Sequence, residues 1–298
     1  MKKVIVNADD FGISKAVNRG IIEAFREGIL TSASFMSNMP AFKDAVFHCR
    51  KNDNLGVGIH LNLNLGRPLL PPRQVKTLVN SEGLFLSNYY QFIKLLYLKK
   101  INLFEIEKEF RTQIEKVKNE NIELDHINSH LHVHMFPQIF KIVIRLAKEY
   151  SIPAIRFSNE RLRFGIANNY YPLAPRNRQQ IGRYFYDFRK VLLLKILAGF
   201  DKKFLESSGL YNPDYFFGAF LMGQMRFEQY VKIFDIIKDS CTEIACHPGY
   251  VDDEIIATND SLIEEREEEL KTLLDPKLKQ AILEKDITLV TFAEISKH

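Results

Sequence analysis

Short apolar runs alternate along the 298-residue chain with longer segments that carry apolar residues at helical spacing. The short runs are rich in β-branched residues and predict strands. Regular strand–helix alternation builds a parallel sheet, and seven or eight such units favour a closed or nearly closed barrel over an open sheet. The predicted strands are Lys3–Asn7, Ser32–Met36, Gly56–Leu61, Glu123–Asn128, Ala154–Phe157, Tyr215–Phe220, Glu243–Cys246 and Thr288–Thr291.

The intervening helices are predicted from apolar periodicity and from their end signals. Ser14 is a good N-cap for the first helix, and Gly28 follows its last residue. The predicted helices are Ser14–Glu27, Ala41–Arg50, Phe104–Asn121, Gln138–Tyr150, Phe227–Lys238 and Ser261–Leu274.

The chain length fits a single barrel domain over residues 1–298, since about 250 residues are typical of one α/β barrel. The alternation is interrupted at about residues 160–212, which we interpret as an insertion. Ten Lys and Arg residues lie between Arg161 and Phe204, interleaved with Tyr and Phe. A solvated lid packed on the barrel is the simpler interpretation, and a platform at a membrane surface that receives a lipid-linked sugar is the sharper one.

Composition restricts the cellular setting and the partners. The net charge of +4 is spread along most of the chain, whereas nucleic-acid binders cluster their basic residues, so we expect no nucleic-acid partner. Cys49, Cys241 and Cys246 show no CxxC spacing, which argues against a disulfide framework. We find no signal-peptide core and no transmembrane-length apolar run, and expect a cytoplasmic protein.

Polar side chains collect where predicted strands end. In α/β barrels the carboxyl ends of the strands converge on one rim, where active sites are built. Two carboxylates and several imidazoles delivered to that rim indicate a metal site with acid–base partners. The candidates are Asp9, Asp10, His60, Asn62, His130, His132, His134, Arg156 and His247.

Each candidate has a simpler explanation. Asp9 and Asp10 could begin a helix or turn, although two adjacent acids repel each other unless a cation lies nearby. His60 could be a hydrogen-bonded core residue, and His247, which precedes a proline, could be a turn residue. The alternating His130, His132 and His134 would share one face of an extended segment, whereas in a helix His130 and His134 would share a face instead. Short histidine-rich tracts commonly bind metal, although this run could also be a solvated loop.

One carboxylate and two imidazoles suit a divalent ion with open positions for water and substrate. Such an ion lowers the pKa of bound water and polarises a carbonyl oxygen. A neighbouring carboxylate can take the water's proton, and a histidine across the site can protonate the departing nitrogen. That set of groups is suited to amide hydrolysis.

Four motifs in this order and spacing, NADDFG, GIHLNL, NSHLHVHMFP and CHPG, resemble the YdjC-like carbohydrate deacetylases over almost the whole chain. The resemblance implies a distorted (β/α) barrel similar to polysaccharide deacetylases. It also implies that a divalent ion (Mg²⁺ or Zn²⁺) is bound by Asp10, His60 and His130. Asp9 would then be the general base, and His247 the general acid or oxyanion partner.

The same resemblance implies that Arg156 touches substrate or orients a catalytic group, and that the protein pairs as a homodimer. We further expect Asn62, His132 and His134 to contact substrate. Many family members carry Asp-Ser-His where this chain has Asn128-Ser129-His130. This Asn, together with the segment Gly66-Arg67-Pro68-Leu69-Leu70-Pro71-Pro72, resembles the hopanoid-biosynthesis-associated branch more closely.

The sequence therefore predicts a hydrolase that removes an N-acetyl group from an amino sugar, for example an N-acetylglucosamine-containing oligosaccharide or glycolipid, and releases acetate. Three alternatives stay open: a metal-dependent phosphoesterase, a glycoside hydrolase and a non-catalytic carbohydrate- or lipid-binding barrel. A glycoside hydrolase needs two carboxylates about 5–10 Å apart on either side of the bond. Asp9 and Asp10 are adjacent in the sequence and on the same rim, which disfavours this alternative.

Overall fold

The computed structural model describes residues 1–160, 178–258 and 262–296, with the backbone alone for residues 178–187. All eight predicted strands are present within these ranges. Their ends differ from the predicted ends by a few residues, most at β1, which ends four residues later than predicted. The strands are β1 (Lys2–Phe11), β2 (Ser32–Phe35), β3 (Gly56–Leu61), β4 (His126–Ser129), β5 (Ala154–Ile155), β6 (Tyr215–Phe217), β7 (Cys241–Cys246) and β8 (Ile287–Leu289).

The strands form one parallel sheet in the order β5-β4-β3-β2-β1-β7-β6. β8 pairs with the first residues of β1, Lys2 to Val4, while β2 pairs further along the same strand. Between the outer strands β5 and β6, the described residues show only an isolated bridge from Ala154 to Tyr211. The predicted distorted barrel is thus a curled sheet that closes halfway, with helices packed around it.

The six predicted helices are present, although the start predicted at Ser261 for the last of them lies outside the described residues. Five further helices among the described residues were not predicted. In chain order the helices are α1 (Lys15–Glu27), α2 (Phe42–Cys49), α3 (Tyr89–Tyr97), α4 (Leu103–Lys118), α5 (Pro137–Glu149), α6 (Arg178–Glu206), α7 (Phe227–Ile236), α8 (Asp253–Ala257), α9 (Glu264–Leu274), α10 (Pro276–Glu284) and α11 (Phe292–Ile295).

The region predicted as an insertion contains the 29-residue helix α6. The stretch at 161–177, which carries the first three of the ten basic residues, lies outside the described residues. In the described part of the chain no helix is both long and apolar enough to cross a membrane.

Helix α1 fixes the loop that follows β7. Its predicted N-cap is confirmed, because the Ser14 side chain accepts a hydrogen bond from the backbone of Val17. A Cβ atom on Gly20 would lie 2.7 Å from Cα of Gly249, and a Cβ atom on Gly249 would lie 2.9 Å from Val17. Glycine at both positions therefore lets α1 approach the CHPG loop closely, which holds His247 at the rim of the sheet.

The histidine-rich segment after β4 is neither extended nor regularly helical. Residues His130–Met135 form a 3₁₀ helix that is kinked at Leu131 and His132, whose φ angles are 52° and 56°. The left-handed backbone at these two residues turns successive side chains in different directions. The expectation that His130, His132 and His134 share one face is wrong for this reason.

Candidate active site

Four strands and the segments that follow them bring the predicted site together at the carboxyl ends of the strands. Asp9 and Asp10 lie near the end of β1, His60 lies in β3, His130 follows β4 and His247 follows β7. Asp10, His60 and His130 each offer a ligand atom, and these atoms lie within 4.8 Å of one another. The predicted ligand set is therefore one cluster in space.

Asp10 stands at the centre of this cluster. Its Oδ1 atom lies 3.5 Å from Nε2 of His60 and 3.3 Å from Nδ1 of His130. No donor in the described part of the chain reaches that oxygen with hydrogen-bond geometry, although it is fully buried. A buried carboxylate oxygen that faces two imidazole nitrogens fits a divalent cation, which would satisfy all three atoms. Asp10 also has a φ of 67°, a strained conformation typical of functional sites.

Two buried arginines pair with the two adjacent acids, one with each. Arg156 donates to both carboxylate oxygens of Asp9, at 2.6 and 2.8 Å, and Arg266 from α9 donates to Oδ2 of Asp10 at 2.7 Å. Burial alone would raise the pKa of each acid, but the facing guanidinium and imidazole groups hold both pKa values well below their ordinary range. Both carboxylates are therefore ionised at neutral pH.

His60 is held in one orientation by Asn128, whose Oδ1 lies 2.7 Å from Nδ1 of His60. That contact leaves Nε2 directed at Asp10. Burial lowers the pKa of His60, against the attraction of Asp9 and Asp10. A neutral imidazole with a free Nε2 lone pair is the form that binds metals.

His247 lies beside Asp9, with 4.0 Å between its Nε2 and Asp9 Oδ2. Both residues line the same pocket at the rim of the sheet. Glu269 on α9 accepts hydrogen bonds from the backbone of His247 and Met225, which fixes the CHPG loop. Burial raises the pKa of Glu269 to about 7, against the effect of these two bonds.

The sequence matches the YdjC family, described as YdjC-like protein, over residues 3–284. This chain belongs to the YdjC-like family. Among curated relatives, a carbohydrate deacetylase of Clostridium beijerinckii is 36% identical over 293 residues, covering 98% of this chain and all of that protein. A carbohydrate deacetylase of Brevibacillus brevis is also 36% identical, covering 98% of this chain and 99% of the relative.

A solved structure agrees with the fold of this YdjC-like chain. It is a crystal structure from Enterococcus faecalis V583 of a protein whose proposed role is cellobiose-phosphate cleavage. The two chains superpose with a TM-score of 0.76 at 27% identity, covering 99% of this chain and 98% of the other.

Arg156, which follows β5, points into the barrel of the YdjC-like chain. Its side chain is fully buried: Nε donates to Oε1 of Glu243 at 2.7 Å, and its other two nitrogens donate to Asp9. Of the two roles expected for Arg156, the contacts support orientation of a catalytic group. The partner Glu243, on β7, was not predicted, because a single acid inside an apolar strand carries no recognisable motif.

Four residues were expected to touch substrate: Arg156, Asn62, His132 and His134. A pocket at the rim of the sheet lies over the candidate metal ligands, and of these four residues His132 alone lines it. His132 lines that pocket, and its Nδ1 lies 2.9 Å from the Ser158 hydroxyl. Both ring nitrogens of His134 are engaged within the protein, by the Ser129 hydroxyl and the carbonyl of Arg156.

Asn62 shapes the loop after β3. Its Oδ1 accepts from the backbone of Asn64 and Leu65, and its Nδ2 donates to Asn38 and to the Leu65 carbonyl. With every polar atom satisfied and no exposed surface, Asn62 holds this loop in place.

A helix and two loops from distant parts of the sequence complete the pocket. The added wall residues are Lys190 from α6, with Met222 and Leu262 from two loops. Arg266 and Glu269, both on α9, bond to Asp10 and to the backbone of His247, and neither was predicted as a site residue. Both occupy the same helix face as the buried Leu270 and Leu273, so charged residues at apolar-face positions were the available signal.

Proposed function

We propose that this chain is a metal-dependent deacetylase that hydrolyses the N-acetyl group of an amino sugar and releases acetate. The observation that carries the proposal is the cluster of Asp10, His60 and His130 with Asp9 and His247 beside it. The family membership and the deacetylase names of its relatives support the same reaction class.

In this proposal Asp10, His60 and His130 hold a divalent cation, Mg²⁺ or Zn²⁺. The bound ion would polarise the amide carbonyl and make water more acidic. Asp9, kept ionised and oriented by Arg156, accepts a proton from the attacking water. The water oxygen bonds to the carbonyl carbon, the C–N bond breaks, and a proton is delivered to the departing amine.

His247 is the group placed to deliver that proton or to stabilise the oxyanion. Its Nε2 faces the space beside Asp9, and its backbone is anchored by Glu269. Since Asp9 and His247 are neighbours, the proton taken from water has a short path to the amine. The products are acetate and the free amino sugar.

Acetate release from N-acetylglucosamine derivatives, chitooligosaccharides and glycolipids tests the proposal. The protein is first treated with a chelator, and Mg²⁺, Zn²⁺ and other divalent ions are then added in turn. We expect activity to disappear on chelation and to return with one of the ions. Full activity after prolonged chelation would overturn metal dependence. Phosphate release or new reducing ends without acetate would favour the phosphoesterase or glycoside-hydrolase alternative.

The ligand assignment is tested separately by metal content. Asp10→Asn and His60→Ala should each lose most of the bound ion, whereas His48→Ala on α2 should retain it. His48 is a suitable control because it lies on an outer helix, where it pairs with Asp44. Equal metal content in all three variants would remove these residues from the ligand set.

We also propose that the sugar is presented on a lipid at a membrane surface. Along α6, Leu192, Ile196 and Phe200 are 46%, 53% and 64% exposed at four-residue spacing. A helix that presents exposed apolar residues among basic ones suits an anionic bilayer surface. The basic residues on the exposed side of this part of α6 are Arg189, Lys195, Lys202 and Lys203.

Flotation with vesicles that contain anionic lipid tests this face, with neutral vesicles as the comparison. Leu192→Glu with Phe200→Glu should abolish binding without loss of activity on a water-soluble substrate. The homodimer that the family resemblance implies is the alternative occupant of this face. A protein that does not float, but whose double variant changes from dimer to monomer in light scattering, would assign the face to the dimer.

A further inference from the structure

A chain of hydrogen bonds crosses the interior of the sheet behind His60. Nδ1 of His60 meets Oδ1 of Asn128 at 2.7 Å, and Nδ2 of Asn128 donates to the Ser34 hydroxyl at 2.8 Å. The Ser34 hydroxyl lies 2.8 Å from Nε2 of His126, and Nδ1 of His126 lies 2.6 Å from Oδ1 of Asp125. The chain therefore links the candidate metal site at the carboxyl end of the sheet to an acid at the amino end of β4.

The direction of every bond in this chain follows from Asp125 at its far end and from Asp9, which fixes the side chain of Asn7 beside Ser34. Asp125 can only accept, so Nδ1 of His126 carries a proton. In the singly protonated form of this ring, Nε2 is then the acceptor that faces Ser34. Asn7 donates to Asp9 and to the Ser34 hydroxyl, both at 2.9 Å, and so occupies one lone pair of Ser34. The only proton of Ser34 must then go to His126.

With its proton committed, Ser34 can only accept from Asn128. The amide nitrogen of Asn128 must therefore face Ser34, and its oxygen must face His60. An oxygen there requires the proton of His60 to be on Nδ1. The remaining nitrogen of His60, Nε2, is thereby a lone pair directed at Asp10.

The packing around His126 shows that its position is built into the fold. A Cβ atom on Gly58 would lie 2.3 Å from Cε1 and Nε2 of the His126 ring, so only glycine admits the ring beside β3. The other face of the ring stacks on Phe292, with 4.0 Å between ring centroids and an interplanar angle of 19°. The ring is fully buried and cannot rotate without disturbing both neighbours.

Asp125, His126 and Ser34 have the connectivity of a catalytic triad, but a nucleophilic role does not fit. Ser34 is fully buried, and its hydroxyl accepts from two amides while donating to His126. No lone pair is left for attack on a substrate. The connectivity serves instead to fix which way Asn128 faces.

We propose that Asp125, His126 and Ser34 are positioning residues that set the tautomer of His60 through Asn128. The inference rests on the proposed function, in which Nε2 of His60 binds the cation. Outer hydrogen-bond partners of metal-binding histidines commonly change metal affinity by about 10–100-fold. Loss of this chain should weaken metal binding to a similar extent without removing a ligand.

Ser34→Ala tests the proposal, with Ser37→Ala as its matched control. Ser37 is equally buried near the same end of β2, but its hydroxyl donates to the carbonyl of Gln113, outside the chain. Two measurements apply: Zn²⁺ affinity by competition with a chromophoric chelator, and the His60 tautomer from imidazole ¹⁵N shifts of the metal-free protein.

We expect Ser34→Ala to bind Zn²⁺ about 10–100-fold more weakly and to show a mixed His60 tautomer, while Ser37→Ala matches the wild type. Equal Zn²⁺ affinity and an unchanged Nδ1–H tautomer in both variants would overturn the inference. Asp125→Asn, at the far end of the chain, gives a second test if Ser34→Ala does not fold. The tautomer is read without substrate, so failure of the deacetylase proposal would not affect this result.

Discussion

Arg266 and Asp10 lie 256 residues apart in the sequence, and Nη2 of Arg266 donates to Oδ2 of Asp10 at 2.7 Å. The bond ties α9 to the end of β1 and leaves Oδ1 of Asp10 facing His60 and His130. Arg156 makes the corresponding pair with Asp9. The repulsion expected between two adjacent acids is thus offset by one buried guanidinium for each acid, and their separate pairing allows separate roles.

Replacement of Arg266 should affect metal binding first. In Arg266→Gln the burial of Asp10 is no longer balanced by the guanidinium, so the pKa of Asp10 should rise. Protons then compete with the cation for Asp10. The Zn²⁺ affinity of the variant should therefore fall further below that of the wild type at pH 6 than at pH 8. Removal of one partner of a buried ion pair also costs about 3–5 kcal/mol of stability, so folding is checked by circular dichroism. A Zn²⁺ affinity equal to that of the wild type at pH 6 would contradict this role.

Replacement of Arg156 should affect the pH dependence of turnover instead. In Arg156→Gln the largest attraction on Asp9 is lost, and burial then raises the pKa of Asp9. Asp9, the proposed general base, is then protonated at higher pH than in the wild type, so the acid limb of the kcat profile should move to higher pH. Metal content should remain near one ion per chain, in contrast to Arg266→Gln. An unshifted acid limb would separate Asp9 from the proton-transfer step.

His134 should make stability depend on pH. Burial, reinforced by the charge of Arg156, lowers the pKa of His134 from 6.5 to about 3. Below pH 6.5 the unfolded chain therefore binds a proton at His134 that the folded chain does not bind. The stability that is fully present above pH 6.5 is lost as the pH falls towards 3. In His134→Gln this part of the loss should disappear. The difference in the free energy of unfolding between pH 7.5 and pH 5, measured with urea, tests this prediction, and His48→Gln is the control. If this difference is the same in both variants, His134 does not cause the loss.

The sequence predicted the fold well because the signals for strands are local. Most strands of this sheet are buried, and β-branched runs such as Val4, Ile5 and Val6 in β1 mark such strands directly. The end of β4 was harder, since the direction of the segment after it depends on left-handed residues at Leu131 and His132, where no glycine marks the turn. The facing of three histidines could not be derived from spacing alone.

The candidate site was predictable only where its residues follow strands. Asp10, His60 and His130 could be grouped because the carboxyl ends of parallel strands meet at one rim. Lys190 and Arg266 reach the same rim from α6 and α9, and nothing local indicates which strand end a helix residue approaches. The chain of hydrogen bonds from Asp125 to His60 could not be predicted for a similar reason. Ser34 and Asn128 lie in strands, and nothing in the local sequence indicates that their side chains bond to each other.

Asp201 on α6 should weaken the protein at alkaline pH. It is fully buried, and neither of its carboxylate oxygens accepts a hydrogen bond from the described residues. Burial raises its pKa to about 7, against the attraction of Lys141. The folded chain holds this proton more tightly than the unfolded chain, so stability is lost as the pH rises through 7. Asp201→Asn should lessen that loss in thermal unfolding at pH 6 and pH 9, and the exposed Asp239→Asn should not.

Lys190 should bind substrate rather than metal. It lines the pocket with Asp9 and His247, its side chain is almost fully buried, and its Nζ lies 3.6 Å from Sδ of Met222. An ammonium group in such a wall can donate to a hydroxyl or carbonyl oxygen of a sugar, and hydrogen bonds to charged groups contribute about 1.5–3 kcal/mol. In Lys190→Met the chain length is kept and the charge is lost, so KM should rise about tenfold or more with metal content unchanged.

The matched control is Lys195→Met, an exposed lysine on the same helix, which should leave both kinetic constants unchanged. A KM effect confined to Lys190→Met would place helix α6 in the substrate site. Should kcat fall in parallel with kcat/KM instead, the lost interaction would be one made in the transition state alone, and Lys190 would act on the reaction rather than on binding. If the two variants behave alike, Lys190 contributes only packing, and the substrate site ends at the sheet.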